Sequence, residues 1–178
     1  MKLVILDRDG VINQDSDAFI KSPAEWIPIP GSLEAIATLT NAGFMVAVAT
    51  NQSGLARNLF DIDTLSNIHG RMVADIAAVG GRVDAIAFCP HAPADRCQCR
   101  KPAPGLLISL ARRFGVSLTG VPIVGDSQRD LQAAVGAGAS PILVRTGKGR
   151  RTESALPERM NFVPVVDDLR TAVSLILG

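Results

Sequence analysis

At 178 residues the chain has the length of one domain, enough to bury a core without disulfide staples or an obligatory partner. Eighteen Lys and Arg against seventeen Asp and Glu leave a net charge of +1, which speaks against a nucleic-acid partner and against an acidic disordered tail. Three cysteines cannot close a disulfide framework, no apolar run approaches the roughly 18 residues of a membrane span, and the apolar start before Asp7 is too short for a signal peptide. The expectation is a cytoplasmic monomer with reduced thiols and no membrane partner.

Short runs rich in Val, Ile and Ala alternate with longer segments of helical period. This predicts an α/β fold, a doubly wound (Rossmann-like) parallel sheet with helices on both faces. In chain order the elements are a strand over Lys2 to Leu6, a helix over Ser32 to Ala42, a strand over Phe44 to Thr50 and a helix over Asp63 to Val79. A strand over Ala85 to Cys89, a helix over Pro104 to Phe114, a strand over Pro122 to Gly125 and a helix over Ser127 to Ala137 follow. Strands over Pro141 to Val144 and Phe162 to Val166 and a helix over Asp168 to Leu177 complete the set. No repeat, linker or inserted cap divides the chain, so residues 1–178 read as one domain.

Two stretches break the alternation. Asn13 to Pro30, with Pro23, Pro28 and Pro30, reads as a flap, and the proline-rich stretch from Pro90 to Pro104 follows directly on Cys89. Both lie beyond the carboxyl ends of predicted strands, where open parallel sheets bind ligands. Gly147 to Arg151 is a basic, flexible stretch that could neutralise phosphate near the crevice, but it reads first as a solvated loop.

Candidate chemistry stands at the strand ends. Asp7 and Asp9 follow the first strand two residues apart, and carboxylates that close repel unless a divalent cation lies between them; the alternative is an Asp-Gly turn with solvated acids. Thr50, Asn51, Gln52 and Ser53, ahead of Gly54, offer a hydroxyl, amides and free backbone N–H groups to an anion. Asp126 would complete with Asp7 an oxygen cage suited to Mg²⁺. Asp130, one turn further on, would lie behind that ion or act as a helix N-terminal acid. Lys101 supplies a positive charge for phosphate and carboxylates.

Cys89, His91, Cys97 and Cys99 fit the ligand set of a closed, structural Cys₃His zinc site over residues 89–101, which would fix Arg100 and Lys101 at the crevice. A loose reactive thiol cluster or a redox pair are the alternatives, although no C-x-x-C is present. His69 lies in a helical pattern near Arg71 and is expected at the surface or its boundary.

Taken together, Asp-x-Asp, then Thr, then Lys, then Gly-Asp-x-x-x-Asp, each at a strand end, resembles the haloacid dehalogenase superfamily of phosphatases over Leu3 to about Val144. The resemblance implies that Asp7 is the nucleophile and that Asp9 is first acid and then base. It further implies Mg²⁺ on Asp7, the Asp9 backbone carbonyl and Asp126, with Thr50 and Lys101 neutralising the phosphoryl group. An acid at Asp9 requires a pKa raised above the free value near 4.

Cys-Pro-His ending in Cys-x-Cys-Arg-Lys-Pro, with Thr-Asn-Gln-Ser-Gly-Leu-Ala-Arg at 50–57, is similar to the D-glycero-D-manno-heptose 1,7-bisphosphate 7-phosphatases. The histidinol-phosphate phosphatases are relatives that share the zinc loop. The heptose resemblance implies release of heptose 1-phosphate for nucleotide-activated heptose and the lipopolysaccharide core. It places Asp15, Ser16, Asp17 and Ala18 of the flap, Thr50, Asn51, Gln52, Ser53, Arg57, Arg100, Lys101 and Ser127 on the substrate, with Arg100 on the uncleaved phosphate. Ala18-Phe19 stands where Gly-Tyr is common, and Ser127 replaces a frequent lysine. The alternative from another class is a zinc-dependent binding module without catalysis.

Overall fold

The computed structural model describes residues 2–178. β1 (Lys2–Leu6) pairs in parallel with β2 (Phe44–Asn51) on one side and β4 (Pro122–Gly125) on the other. β3 (Ala85–Cys89) flanks β2, while β5 (Ser140–Val144) and β6 (Val165–Val166) continue from β4. The order β3-β2-β1-β4-β5-β6 is the doubly wound sheet expected from the alternation. Its topological switch lies between β1 and β4, and the crevice above their carboxyl ends is the place such sheets offer a ligand.

Alternation along each strand divides the core. Val4, Leu6, Val46, Val48, Val124 and Val144 face α1 (Ser32–Asn41), α2 (Ile62–Ala78) and α6 (Leu169–Leu177). Leu3, Ile5, Ala47, Ala49 and Ile123 face α3 (Gly105–Phe114) and α4 (Gln128–Gly136). Helix α2 presents Ile68, Met72 and Ile76, each four residues apart and none exposed, so a single stripe docks it. Each such side chain contributes about 1.5–3 kcal/mol of burial. Asp61 and Asp168 start α2 and α6 by accepting from the backbone N–H groups of Thr64 and Thr171, each at 2.8 Å.

Two expectations need correction. The last strand is not Phe162 to Val166 but only Val165–Val166, because Phe162 is exposed and Pro164 has no N–H to give a ladder. The stretch from Gly147 to Arg151 is not a solvated loop, since α5 (Gly149–Ser154) begins inside it. Gly149 is buried, and a Cβ there would lie 1.7 Å from the Val144 carbonyl oxygen, so this helix start packs only as glycine. Thr146 Oγ1 donates to the Gly10 carbonyl at 2.7 Å and Thr152 Oγ1 to the Asp126 carbonyl at 2.8 Å, docking the segment over β1 and β4.

The flap is pinned rather than free along its length. Gln14 N–H donates to Ile27 O and Ile29 N–H to Ile12 O, while Ile20 and Trp26 are buried in the core beneath it. Among the described residues no helix is long and apolar enough to cross a membrane.

Candidate active site

The chain leaves β1 directly into a crevice of about 290 Å³ whose floor holds Asp7, Asp126, Asp130 and Lys101. Asp7, Asp126 and Asp130 each bring a carboxylate oxygen within 4.8 Å of the others. Lys101, buried beneath them, lies 2.9 Å from Asp7 Oδ1 and 2.5 Å from Asp130 Oδ1 and donates to Ala49 O at 2.7 Å. The contact with Ala49 O is a hydrogen bond, and the two carboxylates are held as ion pairs.

One ammonium does not balance three carboxylates. Burial, and then repulsion from Asp130, push Asp7 up to about 7, and burial with repulsion from Asp7 and Asp130 pushes Asp126 up to about 8. Burial opposes the charge on Lys101, but Asp130 and Asp7 outweigh it and hold the ammonium above its usual range. A site of this composition is short of positive charge, and oxygen ligands at this separation fit a hard divalent cation. Asp126 Oδ2 accepts from Lys148 N–H at 2.8 Å, and a Cβ on Gly10 or Gly147 would come within 2.0 or 2.2 Å of that oxygen. The two glycines therefore let the backbone close on one carboxylate oxygen and leave the other for a cation. Asp130 has both oxygens occupied, one on Lys101 and one accepting from Ser127 N–H and Oγ.

Asp9 behaves differently from its expected raised pKa. Burial does raise it, but the Arg8 guanidinium, Asn13 and Gln52 together bring its carboxyl below the ordinary value. Arg8 Nη2 donates to both Asp9 oxygens at 2.9 and 3.1 Å, Asn13 Nδ2 donates to Oδ1 at 2.9 Å, and Gln52 Nε2 donates to Oδ2 at 3.0 Å. Asp9 is thus held toward its carboxylate form in the ligand-free crevice, and an anionic ligand beside it would favour the neutral acid. His69 also departs from expectation. It is buried, with Nε2 3.2 Å from Arg8 Nη1, and burial followed by the Arg8 charge lowers its pKa to about 4.

The four residues of the cysteine loop converge. Sulfur separations are 3.2 Å for Cys89 and Cys99, 3.5 Å for Cys97 and Cys99 and 3.6 Å for Cys89 and Cys97. His91 Nδ1 lies 3.3 Å from Cys99 Sγ and 3.5 Å from Cys89 Sγ. A tetrahedron with metal–sulfur bonds of about 2.3 Å has edges of about 3.8 Å, so the set fits a single Zn²⁺ with little adjustment. Burial opposes ionisation throughout the cluster. Hydrogen bonds from Arg100 N–H and from the other thiols nevertheless bring Cys97 down to about 6, while burial pushes Cys89 up to about 12. One negative charge is comfortable here and further ones are not, which a dication would reverse.

Family models match the chain as polynucleotide kinase 3 phosphatase over residues 2–129 and as HAD-hydrolase-like over residues 98–172. The D-glycero-beta-D-manno-heptose-1,7-bisphosphate 7-phosphatase of Bordetella bronchiseptica is 63% identical over 160 residues, 89% of each chain. Its counterpart in Pseudomonas putida is 57% identical over 159 residues, 89% of this chain and 91% of its own. The chain belongs to this phosphatase family.

Among solved structures, the D,D-heptose 1,7-bisphosphate phosphatase of B. bronchiseptica, complexed with magnesium and phosphate, superposes with a TM-score of 0.95 at 59% identity, covering 99% of this chain and 98% of its own. The Burkholderia thailandensis family member gives 0.78 at 47% identity, covering 100% and 99%.

Within the phosphatase crevice, Thr50 and Asn51 stand at the end of β2, and Gln52 bridges Asp9 to Thr50 Oγ1. Asn51 grips the main chain of Lys101, donating to its carbonyl at 3.0 Å and accepting from its N–H at 3.1 Å. Ser53, Arg57, Arg100 and Ser127 line the walls, with Asp15, Ser16 and Asp17 from the flap. Ala18 does not line the crevice; Phe19, at φ 66°, turns into its place and lies under the Arg57 guanidinium at 5.7 Å.

Sequence reasoning missed Arg129 as a crevice residue and reached Lys148 only through the less favoured reading of Gly147 to Arg151. Arg129 sits in the first turn of α4, where a cation opposes the helix dipole. Burial, with repulsion from Arg129 and Arg57, depresses the pKa of Arg100, so positive charges crowd one another at the mouth above the acidic floor. Lys148 Nζ reaches the flap at Asp15 Oδ2, 2.9 Å away. The available signal was its placement between two glycines, which bring its backbone against Asp126.

Proposed function

We propose that the chain hydrolyses the 7-phosphate of D-glycero-beta-D-manno-heptose 1,7-bisphosphate, leaving the 1-phosphate in place, on the route to nucleotide-activated heptose. The observation that carries the reaction is the floor of the crevice, where a nucleophile-grade carboxylate, Asp7, shares Lys101 with Asp130 and faces Asp126. The substrate rests on the relatives that bear its name at 63% and 57% identity.

In this reading Asp7 attacks the 7-phosphorus in line, and Asp9 delivers a proton to the departing sugar oxygen. Asp9, now a carboxylate again under Arg8, takes a proton from water, which attacks the aspartyl-phosphate and restores Asp7 with release of phosphate. Lys101 and Thr50 hold charge on the phosphoryl oxygens. Mg²⁺ held by Asp7, the Asp9 backbone carbonyl and Asp126 would supply the remaining positive charge. The arginines at the mouth, Arg57, Arg100 and Arg129, suit the uncleaved phosphate through their forked donors. Zn²⁺ on Cys89, His91, Cys97 and Cys99 would be structural, and in this reading the protein is a cytoplasmic monomer.

Phosphorus NMR of the heptose bisphosphate, incubated with the protein in Mg²⁺ or in chelator, tests this. Mg²⁺-dependent loss of the 7-phosphate resonance with the 1-phosphate retained is expected. Faster turnover of histidinol phosphate, or no Mg²⁺-stimulated release, would sink it.

A further inference from the structure

Arg8 has no exposed surface, and a buried guanidinium has to find acceptors for its N–H bonds. Nε and Nη2 face Asp9, at 3.2 Å and 2.9 Å from its Oδ1. Nη1 points the other way, to His69 Nε2 at 3.2 Å. A guanidinium only donates, so this contact requires a neutral imidazole with its lone pair on Nε2 and its proton on Nδ1. His69 sits on the stripe of α2 that carries Leu65, Ile68 and Met72, 8% exposed, with its ring 6.2 Å from that of Phe88 on β3. An apolar side chain would fill that place as well. What a histidine adds is an acceptor aimed at Arg8.

We propose that His69 is a positioning residue for Asp9, acting through Arg8. Imidazole, guanidinium and carboxylate form a line from α2 to the crevice. With Nη1 anchored, the guanidinium cannot turn about its own bond to seek another acceptor, and its fork on Asp9 stays fixed. Without that anchor the guanidinium keeps its bonds to Asp9 but is fixed from that side alone, and the neutral amides of Asn13 and Gln52 are the carboxylate's other donors. The proposal rests on Asp9 being the acid and base of the proposed reaction, and its consequence falls on proton transfer to the leaving oxygen, not on substrate binding.

The test compares His69→Leu, His69→Gln and Arg8→Lys in the full chain with Mg²⁺, on the heptose bisphosphate and on p-nitrophenyl phosphate. A sugar alkoxide leaves only with a proton, whereas p-nitrophenolate leaves without one, and kcat/KM reports the step in which that group departs. His69→Leu is expected to lower kcat/KM on the bisphosphate about tenfold, a fraction of the roughly 10²–10⁴ that general acid–base catalysis supplies, with KM within about twofold. On p-nitrophenyl phosphate the same variant should stay within about twofold. His69→Gln, whose amide oxygen can accept from Nη1, should recover to within about threefold.

Arg8→Lys should show the same substrate-selective loss, and the double variant Arg8→Lys with His69→Leu should lose no more than Arg8→Lys alone. Should His69→Leu fail to fold, the selectivity of Arg8→Lys decides. Equal losses on both substrates, a loss seated in KM, or additive effects in the double variant would overturn the proposal. Asp9→Asn separates the two layers. If it leaves turnover intact, the role of Asp9 falls and this proposal with it, whereas a crippled Asp9→Asn beside an indifferent His69→Leu overturns this proposal alone.

Discussion

The acid crevice and the cysteine loop both crowd like ligands within a few ångströms, but only the crevice carries a cation of its own. Its carboxylates are placed by strand ends and a helix start, and Lys101 is tied to Asp7, Asp130 and the Ala49 carbonyl. The cysteine loop has one ligand, Cys89, on a strand; the other three lie on a stretch whose only regular structure is a single 3₁₀ turn over Pro93–Asp95. A cation removed from the crevice would therefore cost the chemistry and leave the fold, whereas one removed from the loop would cost the loop's shape first.

The sharpest break of that contrast is Asp7→Asn. Turnover should fall at least about a thousandfold, since the nucleophile is gone. The folded pKa of Asp7 lies at about 7, well above its unfolded value, so the folded state binds more protons between roughly pH 4 and 7 and stability falls as pH rises through that window. At pH 8 without Mg²⁺ the variant should thus melt higher than the parent by calorimetry, and a lower melting temperature would show that the contact with Lys101 outweighs the repulsion.

Cys99→Ser probes the other side. We expect tryptic cleavage at the exposed Arg96 to accelerate and kcat/KM to drop about ten- to a hundredfold as Arg100 and Lys101 lose their mooring, with the melting of the sheet little changed. Activity at the parental level with the loop cleaved would mean that the crevice holds Lys101 unaided. Lys148→Ala should be milder. It removes a half-exposed ion pair to Asp15, worth up to about 1 kcal/mol, and leaves the backbone N–H on Asp126 in place, so KM should rise by up to about fivefold at constant kcat.

The smallest effect concerns pH. Because His69 is held neutral to about 4, the unfolded state binds the extra proton first as pH falls, and the urea midpoint should decline from about pH 6.5 towards 4. His69→Leu should flatten that decline.

A strand buried on both faces has few alternatives, which is why Lys2–Leu6 is legible residue for residue. The ligand sets are legible because carboxylates and thiols at such spacing have few other uses. Helix α5 is not, for Gly147 to Arg151 has the composition of a loop and becomes helical only by docking Gly149 on Val144 and Thr152 on Asp126. Arg8 was the unread middle of Asp-x-Asp, and His69 lies 61 residues away from it, so no local pattern links them. The lowered pKa of Asp9 is hidden too, since it depends on Arg8 folding back and on Gln52, 43 residues away, reaching across from the end of β2.

The grip of Asn51 on Lys101 has a consequence for how this scaffold can vary. Its amide makes with the lysine main chain the two bonds that a neighbouring strand residue would make, while Cys89 at the other end is already paired in the sheet. Between the candidate metal ligands His91 and Cys97, residues 92–96 thus form an insert between fixed posts. Residues could be added or deleted over 92–96, recutting the roof above the mouth for a different sugar, while the ammonium under Asp7 keeps its register.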